Sequence, residues 1–234
     1  MKKYEINDKY SYCLGMSLTI EALIHKPDKV REVILSSKAN KNVQFSYLLD
    51  LCDENHISYY TDDQIIDKLS VKENCYCIGV FDKFYSDIRT NRHLVLYGFN
   101  DFGELGTILR SAVSFDFEDI VLIHSQIDYF DPRCIRASMG SVFHCNIVSF
   151  EDFDSYIEKY KGYHLYPFVS KAEKKLDEIR FIKPYSLIIS QDEKMLDEIF
   201  EEGIMIEHDT DKKISLSIRS SIILAEAYHQ NLSL

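Results

Sequence analysis

The stretch LVLYGFNDFGELGTILRSAVSFDFEDIVLI, residues 94–123, holds two short apolar runs, Leu94–Tyr97 and Ile120–Ile123, either side of a segment of helical length. Within that segment Leu105, Ile108, Leu109, Ala112 and Val113 recur at the helical period and predict a buried stripe. Strand, helix and strand at this spacing make a βαβ unit, whose strands run parallel. The alternation continues through NIVSF (146–150), SLIIS (186–190) and GIMI (203–206), which predicts an α/β fold with a mostly parallel sheet covered on both faces. A smaller α/β pattern precedes it. A helix-like run from Gly15 to His25 leads to REVILS (31–36), QFSYLLDLCDEN (44–55) to ISYY (57–60), and DDQIIDKLS (62–70) to CYCIGVF (75–81). The polar, aperiodic run DKFYSDIRTNRH (82–93) marks the junction. The expected division is an N-terminal α/β domain over residues 1–88, a linker over 89–93 and a second domain over 94–234.

The chain has 234 residues, 46% of them hydrophobic, which is enough apolar surface to offset chain entropy. Its formal net charge of −11 repels phosphate backbones at long range, so any nucleic-acid contact must be local. No run reaches the ~18 consecutive apolar residues of a membrane span, and the start MKKYEINDKY lacks the apolar core of a signal peptide. The expectation is a cytoplasmic protein without a membrane partner. Its six cysteines are scattered and mostly within apolar segments, so reduced core thiols are expected rather than bridges.

Three segments carry chemistry. Asn100–Ala112 follows a strand and opens a helix; Gly103 and Gly106 allow a tight turn, free amides at the helix start favour an anion, and Arg110 flanks the apolar stripe. Taken alone, it reads first as an ordinary strand–helix turn with a surface arginine. Asp128–His144 contains DPRCIRASMGSVFH, and Ser215–Ala227 reads SLSIRSSIILAEA. In order and spacing, LGTILRSA, DPRCIRASMGSVFH and SLSIRSS together resemble the motifs of the SpoU (TrmH-like) family of SPOUT-fold RNA ribose 2′-O-methyltransferases. The N-terminal third is similar to the small ribosomal-protein-like substrate-binding domain that many of these enzymes carry.

The resemblance implies a parallel sheet whose C-terminal segment is threaded into a trefoil knot, a homodimer, S-adenosylmethionine as cofactor and rRNA or tRNA as substrate. Against the family pattern D-P-x-N-x-G-x-I-x-R, Gly106, Ile108 and Arg110 are kept, Phe102 replaces the proline and Glu104 the asparagine. Arg110 is then the catalytic arginine, with Glu104 either accepting the hydroxyl proton or neutralising Arg110, and Ser217 standing where the family has asparagine. The glycine-rich loop G-N-E-G-x-G corresponds to Ser190–Met195, without glycine, with Asp192 in place of the glutamate. Ser190, Gln191, Asp192, Ile206, Ser215 and Leu216 are the expected cofactor contacts, and Arg133, Arg136 and Ser138 the expected RNA contacts. Ser190 followed by Glu193 also fits a capping box, which would make the loop a plain helix start. A degenerate relative that keeps the fold and binds RNA or protein without catalysis is the alternative. Cys75-Tyr76-Cys77 lacks the second pair or spaced histidine of a zinc site, and His124 and His144 read as satisfied polar residues at strand ends, so no metal is expected.

Overall fold

The structure, a computed structural model, describes residues 1–70, 74–208 and 214–232. It divides into two compact units, residues 1–84 with 128–144, and residues 85–127 with 145–234. In the first, Tyr10–Leu14 (β1), Met16–His25 (α1), Val30–Leu35 (β2), Val43–Glu54 (α2), Ser58–Thr61 (β3), Asp63–Leu69 (α3) and Cys77–Asp82 (β4) build a four-stranded sheet of order β1-β4-β2-β3. β4 runs antiparallel to both neighbours, while β2 and β3 are parallel. CIGVFD sits centrally because it is apolar on both faces. Gly79 is required there: a Cβ would lie 2.8 Å from Thr19 Cγ2 on α1. Asn42 and Asp62 start α2 and α3 by accepting from the Phe45 and Ile65 amides. β1 escapes the sequence reading because it is short and follows a polar N-terminus. Its alternation is nevertheless regular: Tyr10, Tyr12 and Leu14 join the cluster of Ile34, Ile66 and Val80.

In the second unit, Arg92–Tyr97 (β5), Phe102–Ser114 (α4) and Asp119–Ile123 (β6) form the expected βαβ arrangement. The following segment, residues 128–144 with Pro132–Ala137 as α5, packs in the first unit. Position in the chain between two strands of the second sheet had assigned it to the second domain. Its own side chains decide otherwise: the Ser11 hydroxyl donates to the Phe130 carbonyl at 2.5 Å, Phe130 meets Phe81 and Phe84 edge-on, and Lys83 pairs with Asp128 at 2.6 Å.

The second unit continues with Asn146–Phe150 (β7), Phe153–Lys159 (α6), His164–Phe168 (β8), Lys174–Lys175 (β9), Tyr185–Ser190 (β10), Glu193–Ile199 (α7), Ile204–Met205 (β11) and Leu216–Leu232 (α8). All adjacent strands of its seven-stranded sheet, order β7-β6-β5-β10-β8-β11-β9, are parallel. β6 and β10 are buried along their whole length, as continuous apolar runs between helical layers must be. β8 is the strand the sequence hides: Pro167, opposite Ile188, interrupts the apolar run and is rare inside a sheet. α8 lies along α4, with the Ser111 and Ser221 hydroxyls 2.9 Å apart. The connection on which the expected knot depends, from Ile206 to Ser215, includes residues 209–213, which lie outside the described residues.

Candidate functional site

In an all-parallel sheet every strand-to-helix loop leaves from the same edge, and ligands collect beyond the carboxyl ends of the strands. Here the ends of β5, β6, β7 and β10 surround a cleft of about 840 Å³, with Asn100, His124, Gln126, Glu151, Gln191 and Asp192 on its walls. Gly98, at φ +70°, turns the chain out of β5, and Asp101 then starts α4 by accepting from the Glu104 amide at 2.7 Å. Gln191 Oε1 accepts from the Asn100 amide at 3.1 Å and fastens the β10 loop to the β5 loop. Tyr97 and His124 stack with their ring centres 6.0 Å apart.

The Ser190–Met195 loop is held by its own side chains where the family pattern has glycines. Ser190 is fully buried, its hydroxyl 2.6 Å from the Asp192 carbonyl and 3.2 Å from that of Tyr97. Asp192, rather than Ser190, caps α7, accepting from the Lys194 amide. That corrects the capping box: Glu193 does not bond back to Ser190. It accepts instead from the Ser170 amide (2.6 Å) and hydroxyl (2.7 Å) and pairs with Arg219 of α8. Burial pushes the Glu193 carboxyl up, but the bonds from Arg219 and Ser170 outweigh it and hold the group below the usual carboxylate range. Arg219 is only 7% exposed, and its Nε has no hydrogen-bond partner among the described residues. The sequence offered one signal for this junction: an arginine at the helical spacing of buried Ser220, Ile223 and Leu224. Its partner was unreadable, lying 26 residues away on another element.

The other expected site residues divide. Glu104 is half-buried on the first turn of α4, its carboxyl pushed up by burial and by Asp101 against the opposing pull of Arg219. Arg110 is exposed, and among the described residues its guanidinium has no ion-pair partner. Six positions on a helix separate the two by about 9 Å along the axis and about 120° around it, so they do not form the local ion pair considered from the sequence. Gln191 and Asp192 line the large cleft. Ile206 lies on a different hollow of about 700 Å³, with Glu207, His208 and Ala225, while Ser215 and Ser217 face each other across 3.5 Å at the start of α8, flanking Leu216. In the first unit Arg133 is exposed but held in a two-point contact with Asp131, at 2.9 and 2.8 Å, and Arg136 is exposed. Ser138 is completely buried and donates to the Ile135 carbonyl at 3.0 Å. In this structure it fixes the turn after α5 and has no surface for a ligand.

These features, an all-parallel sheet with short strands at one edge and a polar cleft beyond β5 and β10, match the SPOUT methyltransferase fold. The solved structure of an rRNA methyltransferase from Sinorhizobium meliloti with AdoMet bound superposes with a TM-score of 0.77 at 20% identity, over 94% of this chain and 87% of that one. The AdoMet complex of the SpoU methyltransferase AviRb from Streptomyces viridochromogenes gives 0.79 at 16% identity, over 96% and 91%. A structure described as an RNA 2′-O ribose methyltransferase gives 0.79 at 18%, over 96% and 90%. No curated protein matches the chain in sequence. Residues 91–196 match the model of the SpoU rRNA Methylase family.

Proposed function

We propose that the chain is an S-adenosylmethionine-dependent RNA methyltransferase that acts, as a homodimer, on a ribose 2′-hydroxyl of rRNA or tRNA. The observation that carries this reading is the SpoU family match over residues 91–196, which spans the polar cleft beyond β5 and β10. The cleft suits the cofactor in size, since ligand pockets commonly run ~300–1,000 Å³, and in charge, since Glu151 and Asp192 supply carboxylates toward a cationic sulfonium and an ammonium. Gln191 and Asp192 would hold the amino-acid end, with the Ser190 backbone beneath; Ile206, on the neighbouring hollow, and Ser215 and Leu216, at the start of α8, do not line this cleft and stand outside the cofactor site. S-adenosylmethionine, when bound, supplies an electrophilic methyl group. The remaining work is positioning and removal of one proton. Glu104, already raised by burial, accepts that proton. Arg110, exposed and without an ion-pair partner among the described residues, binds phosphate or steadies the developing alkoxide. Arg133 and Arg136 bring cations to RNA on a chain that otherwise repels it. The threaded knot belongs to this proposal as well.

A second reading has its own observation. The Glu193–Arg219–Ser170 junction fastens the β8 loop, the β10 loop and α8 together, where the family has flexible glycines. A loop closed in this way fits a chain that keeps the fold and binds RNA or protein without catalysis. Incubating the purified protein with methyl-labelled S-adenosylmethionine and total RNA separates the readings. Label in RNA, recovered as alkali-resistant dinucleotides, supports the enzyme; label confined to bases refutes ribose specificity, and absence of label favours the second reading.

A further inference from the structure

The N-terminal unit contains a cluster that the methyltransferase reading does not use. Glu21 and His25 lie four residues apart, one turn of α1, and so share one face of that helix. His144 follows the 3-10 turn Ser141–Phe143, more than a hundred residues later in the chain. Its Nε2 stands 3.0 Å from Glu21 Oε2, and His25 Nε2 stands 3.5 Å from the same oxygen. One ligand atom from each of the three residues falls within 4.8 Å of the others. The two imidazole rings face each other with centres 3.6 Å apart.

We propose that Glu21, His25 and His144 form a binding site for a divalent first-row transition ion, zinc foremost, which fastens α1 to the turn before β7. In a tetrahedral zinc site with bonds of ~2.0–2.1 Å, neighbouring ligand atoms are about 3.3 Å apart; the two separations to Glu21 Oε2 bracket that value, and binding would turn the two imidazole rings out of their present 3.6 Å stacking. Two imidazoles and one carboxylate are a donor set that zinc accepts, whereas magnesium and calcium prefer oxygen alone. The side chains are about one-third exposed or less, so a fourth, water ligand has access.

An independent feature brings the ligands together. Gly140, at φ +85°, begins the turn that carries His144, and a Cβ there would stand 2.8 Å from Glu21 Cβ. The backbone thus approaches α1 as closely as glycine permits, directly beside the first ligand. Among the described residues, the short hydrogen bond within the cluster is that between His144 and Glu21.

The test is calorimetric titration of chelator-treated full-length protein with zinc chloride, followed by the same titration of His25→Ala, His144→Ala and Glu21→Gln. The expected result is one ion per chain at micromolar strength or tighter, weakened at least about tenfold in each variant, the scale on which even outer-shell contacts act. Zinc should also raise the melting temperature of the parent protein and leave that of His144→Gln unchanged, a comparison that stands if an alanine variant fails to fold. Cobalt substituted for zinc should give a spectrum without thiolate charge transfer, since the six cysteines are buried elsewhere. No zinc binding, binding indifferent to all the substitutions, or a thiolate signature would each overturn the proposal.

Discussion

At the scale of single residues, the two proposed reaction groups make separable predictions. Arg110 is exposed and has no ion-pair partner among the described residues, so Arg110→Ala should abolish methyl transfer to RNA while leaving cofactor affinity within about twofold. Unchanged turnover would remove Arg110 from the reaction. Glu104 accepts a proton only when ionised, and burial has raised its pKa. Methyl transfer should therefore fall as pH drops through that raised value, and Glu104→Gln should flatten this acid limb. His93 predicts a stability effect instead. It is fully buried on β5, with Nδ1 2.9 Å from the Tyr156 hydroxyl, Nε2 unpartnered among the described residues, and burial lowers its pKa to about 4. The fold holds the ring neutral while the unfolded chain protonates it near its ordinary value. Its stabilising contribution is thus complete above about pH 6.5 and disappears as pH falls towards 4, a difference on the order of 3 kcal/mol at ~1.36 kcal/mol per pH unit. Melting temperatures measured across that interval should drop for the parent and lose most of this dependence in His93→Gln.

At the scale of elements, the Glu193–Arg219 pair joins α7 to α8 and, through Ser170, to the end of β8. Removing one partner strands the other in a site with little water. Glu193→Ala should accordingly cost roughly 3–5 kcal/mol in denaturant unfolding, and Glu193→Ala with Arg219→Met together distinctly less than the sum of the single changes. Additive losses would show that the two charges act independently. Strands and helices with strong periodicity were legible in advance: the β5–α4–β6 unit follows directly from LVLY, the Leu105–Val113 stripe and IVLI. β8 was not, because Pro167 breaks the apolar run, and β1 was not, because its neighbours are polar. The loop at Ser190–Met195 was legible as a place and misread in detail, since nothing local distinguishes Glu193 as a capping residue from Glu193 as the partner of an arginine on another helix.

For the molecule as a whole, alternation of strands and helices was enough to infer the parallel sheet, and three spaced motifs were enough to raise the SpoU resemblance that the match over residues 91–196 repeats. Attachment of Asp128–His144 to the first unit was out of reach. It depends on Phe130 meeting Phe81 and Phe84, and on His144 meeting Glu21, contacts between positions far apart in the chain. The same distance concealed the Glu21–His25–His144 cluster: a pair on one helix and a single histidine in a turn have no common spacing to read. The central claim concerns the polar cleft beyond β5 and β10, and it is tested most directly by titrating the folded protein with S-adenosylmethionine in a calorimeter. The account predicts saturable binding at micromolar strength, weakened in Asp192→Ala. A folded protein that gives no heat at millimolar cofactor would contradict it.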